Sequence, residues 1–179
     1  MECDLDTLLV FLETAGCPAE TAAALARDVS LTAQAIPPET GAALAAALAE
    51  ALGTPDAPPE LAEHGSLDDW LRFVADHLDD AALKQATMAR ITNGKANIPH
   101  GKAYVIETMR PADAPGVAGL FHTIYDANYP VLDYYVPEKL LALNRQKAVL
   151  TLVARLETGQ IAGHGAYYRS SPPNPAVYE

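Results

Sequence analysis

The sequence predicts an α+β fold, with an all-helical N-terminal part followed by a smaller mixed part. In residues 1–94 the apolar side chains recur at helical spacing. Two apolar runs near the C-terminus flank a turn that contains Gly159, a pattern typical of a β-hairpin. Between these parts lies a polar segment, NGKANIPHGK (93–102), with two glycines and a proline. We therefore expect a helical domain over 1–94, a linker over 95–101 and a mixed domain over 102–179.

Five helices are predicted in the first part, beginning near residues 5, 19, 37, 66 and 80. The first ends before Gly16, and the second covers 19–29. The third carries a leucine stripe and stops at Gly53. The stretch TPDAPPE (54–60) holds three prolines and is predicted to be a loop. Ser66 and Asp69 have the spacing of a capping box, and the strongly amphipathic helix that follows carries Trp70.

The mixed part is predicted to run strand, helix, helix, strand, strand. The first strand covers 103–109, and Asp113 could cap the following helix, with Pro115 in its first turn. Pro137 opens the second helix, which ends near Asn144. The hairpin strands cover 148–156 and 161–168. A further strand begins at residues 176–179, where the sequence stops. The apolar face of the first helix is formed by Val117, Leu120, Phe121 and Ile124.

The charge distribution excludes several classes of partner. The formal net charge is −11, and residues 1–100 hold 16 acidic and 5 basic side chains, whereas residues 101–179 hold 7 of each. A surface this acidic repels phosphate backbones and anionic lipids, so we expect neither nucleic acid nor membrane as a partner. The sequence has no membrane-spanning apolar run and no basic signal segment. Two cysteines make no disulfide framework, and the expected location is the cytoplasm.

The order of elements in the second part, with its residues, resembles the first half of the GNAT family of N-acetyltransferases. ETMRPADAPGVAGLFHTIYDANYP resembles the first strand and helix of that family, with Arg110 and Asp113 at the turn between them. VLDYYVPEKLLAL resembles the second helix, and AVLTLVARLETGQIAGHGAYY resembles the second and third strands. The closing AVYE resembles the start of the fourth strand. The resemblance covers about residues 102–179.

The resemblance implies an enzyme that transfers an acetyl group from acetyl-coenzyme A to an amine, either a small molecule or a peptide. In the family, a Q/R-x-x-G-x-G/A loop after the fourth strand opens a helix that binds the donor's pyrophosphate. That loop is absent from these 179 residues. We therefore expect the chain to be a fragment with little or no activity alone, and the cofactor-binding residues are not assigned.

The same resemblance implies candidate residues for the acceptor side. Glu179 falls where part of the family carries a general base, and the alternative is a strand-end glutamate without a role, which its position at the end of the sequence favours. Four tyrosines in the segment between the first and second helices either line an acceptor site or simply pack together. His164, beside the hairpin, is a further base candidate. These four tyrosines are Tyr125, Tyr129, Tyr134 and Tyr135.

Other chemistries have little support in the sequence. The five histidines are scattered without a metal-binding spacing, so no metal is expected. Ser170 and Ser171 lack the glycines of a nucleophile elbow, which disfavours a hydrolase. The alternative to an enzyme is a non-catalytic helical interaction module with a remnant half-domain behind it. In that case the open sheet edge would allow strand addition or a homo-oligomer.

Overall fold

A computed structural model describes residues 1–91 and 103–168 of the chain. The whole of the predicted linker, 95–101, and the strand predicted at 176–179 lie outside these ranges. The described residues form helices first and then a small antiparallel sheet, so the α+β prediction is confirmed at that level. The helices are α1 (Leu5–Thr14), α2 (Ala19–Ala23), α3 (Pro38–Leu52), α4 (Pro59–His64), α5 (Leu67–His77), α6 (Asp80–Ile91), α7 (Ala114–Tyr125) and α8 (Pro137–Arg145), and the strands are β1 (Tyr104–Thr108), β2 (Val149–Leu156) and β3 (Ile161–Tyr168).

Two of the helix ends follow the capping chemistry that the sequence predicts. Ser66 and Asp69 form the predicted capping box, because each side chain accepts a hydrogen bond from the other residue's backbone N–H. At the end of α3, Gly53 takes a left-handed conformation, with φ of 70°, as a helix-terminating glycine does. Asp4 caps α1 by accepting a hydrogen bond from the Thr7 amide at 2.9 Å.

Two predictions in the helical part are wrong in their bounds. The helix predicted over 19–29 is only one turn long, because α2 ends at Ala23 and Gln34 then binds the backbone of Ala26 and Val29. The predicted loop 54–60 is shorter, since Pro59 occupies the first position of α4. Proline suits that position, because the first helical amide has no partner within the helix.

The sheet is antiparallel with strand order β1-β2-β3. Glu107 lies opposite Val153, and Val153 lies opposite His164, so these three side chains share one face of the sheet. Both α7 and α8 pack on that face. Gly159, with φ of 86°, allows the tight turn of the β2–β3 hairpin. The other face carries large exposed apolar side chains, namely Tyr104, Ile106, Leu150 and Tyr167.

The helical and mixed parts are in contact through α1 and α8. Lys139 of α8 is buried and donates to the Glu2 carbonyl at 2.9 Å, with Asp4 as its ion-pair partner at 3.4 Å. A continuous cluster of buried apolar side chains reaches from Leu8 in α1 to Ile161 in β3. The division into domains at 95–101 lies outside the described residues and stays a prediction.

None of the helices in residues 1–91 and 103–168 combines the length and apolar character that crossing a bilayer requires.

Candidate functional site

The four predicted tyrosines meet around one phenylalanine. Phe121, on α7, stacks in parallel on Tyr134 with ring centroids 4.6 Å apart. The rings of Tyr125, Tyr129 and Tyr135 lie 5.8, 4.8 and 6.2 Å from the same Phe121 ring. The short 3₁₀ helix Leu132–Tyr135 supplies two of these rings, while α7 and the loop after it supply the others. The segment between α7 and α8 is therefore organised by aromatic packing.

Two of the tyrosines have structural hydrogen bonds. Tyr135 is only 4% exposed, and its hydroxyl oxygen accepts the backbone N–H of Tyr129 at 2.8 Å. Tyr134 is 3% exposed, and its hydroxyl lies 2.5 Å from that of Tyr168 on β3. Burial, followed by the bond to Tyr168, raises the pKa of Tyr134, so this phenol keeps its proton. A buried hydroxyl group without a hydrogen-bond partner destabilises a core, and both of these tyrosines have such a partner.

His164 reaches the same cluster from β3. Its ring lies 5.1 Å from Phe121 and 5.2 Å from Tyr134, at 71° and 70° to them. The Nε2 atom is buried and has no hydrogen-bond partner among the residues that the structure describes. Burial lowers the pKa of His164, so the imidazole is neutral at pH values near 7. A neutral ring that carries its proton on Nδ1 offers a free acceptor at Nε2.

A cavity of about 230 Å³ lies beside this histidine, between α7 and β3. Tyr125 is the one member of the four tyrosines among its lining residues, and it is 44% exposed. Ile124 forms part of the rim and is 57% exposed, so it does not belong to the buried face of α7 as the sequence predicted. The lining residues are Leu120, Phe121, Ile124, Tyr125, Ala162, Gly163 and His164.

A groove of about 450 Å³ follows the opposite face of the sheet. Tyr104, Ile106 and Tyr167 form its walls, and Gly163 and His164 belong to both hollows. Tyr167 and Tyr168 lie on opposite faces of β3, because Tyr168 meets Tyr134 on the helix side while Tyr167 lines this groove. A separate depression of about 480 Å³ between α3 and α6 is lined by three alanines, Glu50 and Arg90.

A group of paired charges holds the base of α7 to the sheet. Arg155 of β2 donates to the Asp113 carboxylate at 2.6 Å and also binds Glu107 of β1. Asp113 accepts the Arg110 amide as well, at 2.7 Å, and these bonds outweigh burial and lower the pKa of its carboxyl. Asp113 occupies the position before α7 but makes no capping bond to the helix, so the predicted cap is wrong. Its carboxylate is already engaged with the two arginines.

The remaining candidates have the following positions. Glu179 lies outside the described residues, as do Ser170 and Ser171. His122 is buried in α7, with Nδ1 3.2 Å from the Asp126 carbonyl. Within residues 1–91 and 103–168, no cluster of three histidine, cysteine or acidic side chains could hold a metal ion. No local sequence pattern indicates that Arg155 joins Asp113, because their contact depends on the register of the sheet.

Comparisons of this chain with protein-family models, with curated proteins and with solved structures find no match.

Proposed function

We propose that the chain is the acceptor-side half of a GNAT-like N-acetyltransferase, which transfers an acetyl group from acetyl-coenzyme A to an amine. The observation that carries this proposal is the connectivity of the second part. From β1 the chain forms α7 and α8 on one sheet face and then returns as the β2–β3 hairpin, giving antiparallel order β1-β2-β3. That order agrees with the order of the family that the sequence resembles. Because one topology can serve many functions, the proposal also has to rest on the residues of the site.

The acceptor side has the features that such a reaction needs. The cavity beside β3 has the exposed side chain of Tyr125 and the ring of His164 among its lining residues. An amine becomes a nucleophile only after it loses a proton, so an apolar site with a neutral base nearby suits it. Tyr134 and Tyr135 support the wall through their packing and hydrogen bonds. Glu179 stays a candidate base.

The donor side is not formed by the described residues. The N-terminus of α7 follows the buried Asp113 carboxylate, which would repel a pyrophosphate. Gly163 and Gly165 lie inside β3, where they pair with β2 and do not open a helix. The described residues therefore do not fit the pyrophosphate of acetyl-coenzyme A.

The deciding experiment is a calorimetric titration with acetyl-coenzyme A. It compares this chain with a longer one that continues through a Q/R-x-x-G-x-G/A loop. We expect binding, and acetylation of an added amine, only with the longer chain. Binding by neither chain would contradict the acetyltransferase proposal. Tight binding by the 179-residue chain would show that the donor site has been misassigned.

A second candidate is a non-catalytic module that associates with a second copy of itself. The observation in its favour is that β3 pairs only with β2 among the described strands, and it carries neither a charged residue nor a proline. Such an edge lacks the usual protection against strand pairing. Analytical ultracentrifugation tests this: a concentration-dependent dimer that Ala166→Pro abolishes would favour it, and a monomer at all concentrations would exclude it.

The cytoplasmic location is part of the same proposal. Both cysteines are free thiols, and Cys17 is buried. Burial raises the pKa of Cys3 to about 12, which leaves the unreactive thiol as the dominant form. Free thiols of this kind are compatible with a reducing compartment.

A further inference from the structure

The first strand of the sheet exposes large apolar side chains on both of its faces. Tyr104, Val105 and Ile106, at consecutive positions of β1, are 60%, 65% and 63% exposed. Because successive side chains of a strand point to opposite faces, an apolar surface lies on each side of β1. The helices leave this strand uncovered, since α7 lies over β3 and α8 over β2. Contiguous exposed apolar side chains of this kind indicate an interaction surface.

β1 is also an edge of the described sheet, and the structure shows which of its backbone groups point outward. The Met109 amide donates to the Thr151 carbonyl at 2.9 Å, on the β2 side. Backbone groups of successive residues alternate between the two sides of a strand, so those of Tyr104, Ile106 and Thr108 point away from β2. Within β1 there is no proline, and its register with β2 contains no bulge, so these protections against strand pairing are missing.

The charged side chains beside this edge neutralise one another. Arg155 of β2 binds both Glu107 and Asp113, and Arg110 donates to Glu107 at 2.6 Å. Two arginines and two carboxylates leave this part of the surface without net charge. The chain as a whole has a formal net charge of −11, which opposes self-association, but the edge itself is locally neutral.

We propose that β1 pairs antiparallel with β1 of a second copy of this chain, about a two-fold axis at Val105. Tyr104 then lies opposite Ile106 of the second copy, and each such pair exchanges two N–H···O bonds. These side chains meet on the open face of the sheet, where pairs of an aromatic and a β-branched residue are favourable. Val105 meets its own copy on the helix side. A two-fold interface has to be self-complementary, and this edge fulfils that condition.

The side chains of β1 favour this register over its neighbours. Sliding one strand by two residues would place Glu107 opposite Val105, and sliding it by four would place Glu107 opposite its own copy, where like charges repel. Glu157, which lines the same hollow as Val105, is the further acidic group near the edge. In the proposed register its two copies lie about 20 Å apart. That separation exceeds the Debye length of about 8 Å at physiological ionic strength.

Analytical ultracentrifugation of the full chain tests the association, and we expect a monomer that converts to a dimer as its concentration rises. Val105→Lys and Val105→Glu each bring like charges together at the axis and should be monomeric, whereas an equimolar mixture of the two should dimerise. The exposure of Val105 allows both variants to fold. A parent protein that is monomeric up to about 1 mM would overturn the proposal and leave this edge to a different partner. A mixture that stays monomeric while the parent dimerises would overturn it too.

Matched proline variants locate the edge that pairs. Ile106→Pro removes an amide that points to the second copy and keeps the ladder between β1 and β2, so it should abolish the dimer. Ala166→Pro makes the corresponding change on β3, at the other edge of the described sheet, and should leave the dimer intact. A dimer that is lost in Ala166→Pro but kept in Ile106→Pro would place the contact on β3 and overturn the proposal.

A cysteine at the axis tests the register. In a non-hydrogen-bonded antiparallel pair the two Cα atoms lie about 4.5 Å apart, within the range that a disulfide spans. Oxidised glutathione should therefore link two copies of Val105→Cys, with two thiols giving one disulfide. Leu150→Cys, at a position that is 51% exposed on the open face of β2, is the matched control and should stay unlinked. The parent protein controls for Cys3 and Cys17. Equal linking of both variants would contradict the register.

The dimer does not depend on the acetyltransferase proposal, because β1 contributes no residue to the cavity between α7 and β3. A dimer through β1, in a protein whose longer form never binds acetyl-coenzyme A, would retain the interface and reject the enzyme. Acetylation by a longer form that stays monomeric would retain the enzyme and reject the interface.

Discussion

Arg145 and Glu13 form a two-pronged ion pair that joins α8 to α1. The Nη1 and Nη2 atoms of Arg145 each lie 2.7 Å from one oxygen of the Glu13 carboxylate. The hydrogen bond to Glu13 raises the pKa of Arg145, which stays charged. This parallel geometry fixes the relative orientation of the two side chains better than a single contact does. The pair therefore connects the helical part to the mixed part at a defined angle.

A double-mutant cycle with Glu13→Gln and Arg145→Met should give a coupling energy of about 0.5–1 kcal/mol. The value is modest because the Arg145 side chain is 46% exposed and water screens the pair. Urea unfolding of the four proteins measures it. Arg27 and Asp68, where one carboxylate oxygen accepts both bonds, serve as the control pair with a smaller coupling. A coupling of zero for Glu13 and Arg145 would contradict the connecting role.

Acid should weaken the fold through Asp4. Burial alone would raise the pKa of this carboxyl, but hydrogen bonds from Thr7 and Gln146 and the charge of Lys139 outweigh it and lower the pKa to about 2. A carboxyl with a lowered pKa in the folded state stabilises the fold above its ordinary pKa, and this stabilisation is lost as pH falls. The loss should occur between pH 3.8 and about 2.

Urea unfolding of the chain and of Asp4→Asn over that pH range tests this expectation. Asparagine keeps the capping oxygen for the Thr7 amide but cannot be protonated in this range. The variant should therefore lose less stability than the parent protein when the pH is lowered from 4 to 2. Identical pH profiles would mean that other carboxyl groups dominate acid unfolding.

Local sequence signals predicted the elements of this fold well. The Ser66 capping box, the Gly53 stop and the Gly159 turn each depend on residues within four positions of one another, so a short window contains the cause. β3 was predicted with the observed bounds, because its apolar run lies between clear turn residues. The early end of α2 was not predicted from such local signals. There the side chain of Gln34, eight residues beyond Ala26, donates a hydrogen bond to the Ala26 carbonyl.

The candidate site was less predictable, because its contacts cross elements. The sequence placed four tyrosines in one segment, but it could not show that Phe121 touches all of them. Nor could it show that Nε2 of His164 would lack a hydrogen-bond partner among the described residues, since that depends on the packing of α7 against β3. In the apolar pattern of α7, Ile124 and Tyr125 cannot be told apart from the buried residues of the helix. In the structure, however, both side chains are exposed at the rim of the cavity.

Replacing Gly41 even by alanine should lower the stability of the fold. A Cβ at this position in α3 would lie 2.0 Å from the carbonyl oxygen of Ala62 in α4, so the two helices would have to separate. In an open helix, Gly→Ala raises stability by about 0.5–1 kcal/mol. Here we expect Gly41→Ala to lower the free energy of unfolding by at least about 2 kcal/mol.

Gly116 provides the comparison, because its added Cβ would lie 2.9 Å from a side-chain atom of Ile161, which can move. Gly116→Ala should therefore cost about 1 kcal/mol or less. Urea unfolding measures both variants. Equal effects at the two positions would mean that α4 moves away from α3 as easily as one side chain rotates.

Among the four tyrosines, Tyr135 should stabilise the fold, whereas Tyr125 should contact a ligand. Tyr135→Phe removes the hydroxyl that accepts the Tyr129 amide, and leaves that N–H without its partner. We expect a loss of about 1–2 kcal/mol in the free energy of unfolding. Tyr125→Phe should change stability by less than about 0.5 kcal/mol, because this side chain is exposed at the cavity rim.

Ligand binding, in contrast to stability, should depend on Tyr125 and not on the Tyr135 hydroxyl. Under the acetyltransferase proposal, Tyr125→Ala removes part of the cavity wall and should weaken binding of an amine acceptor, with benzylamine as the probe, several-fold, while Tyr135→Phe should leave it unchanged once the protein is folded. Thermal unfolding and calorimetry on the same samples measure stability and affinity separately. A variant at Tyr125 that lowers stability as much as Tyr135→Phe does would assign all four tyrosines to packing. The acceptor proposal would then depend on His164 and the apolar wall alone, since no phenol would remain at the cavity with a function beyond the core.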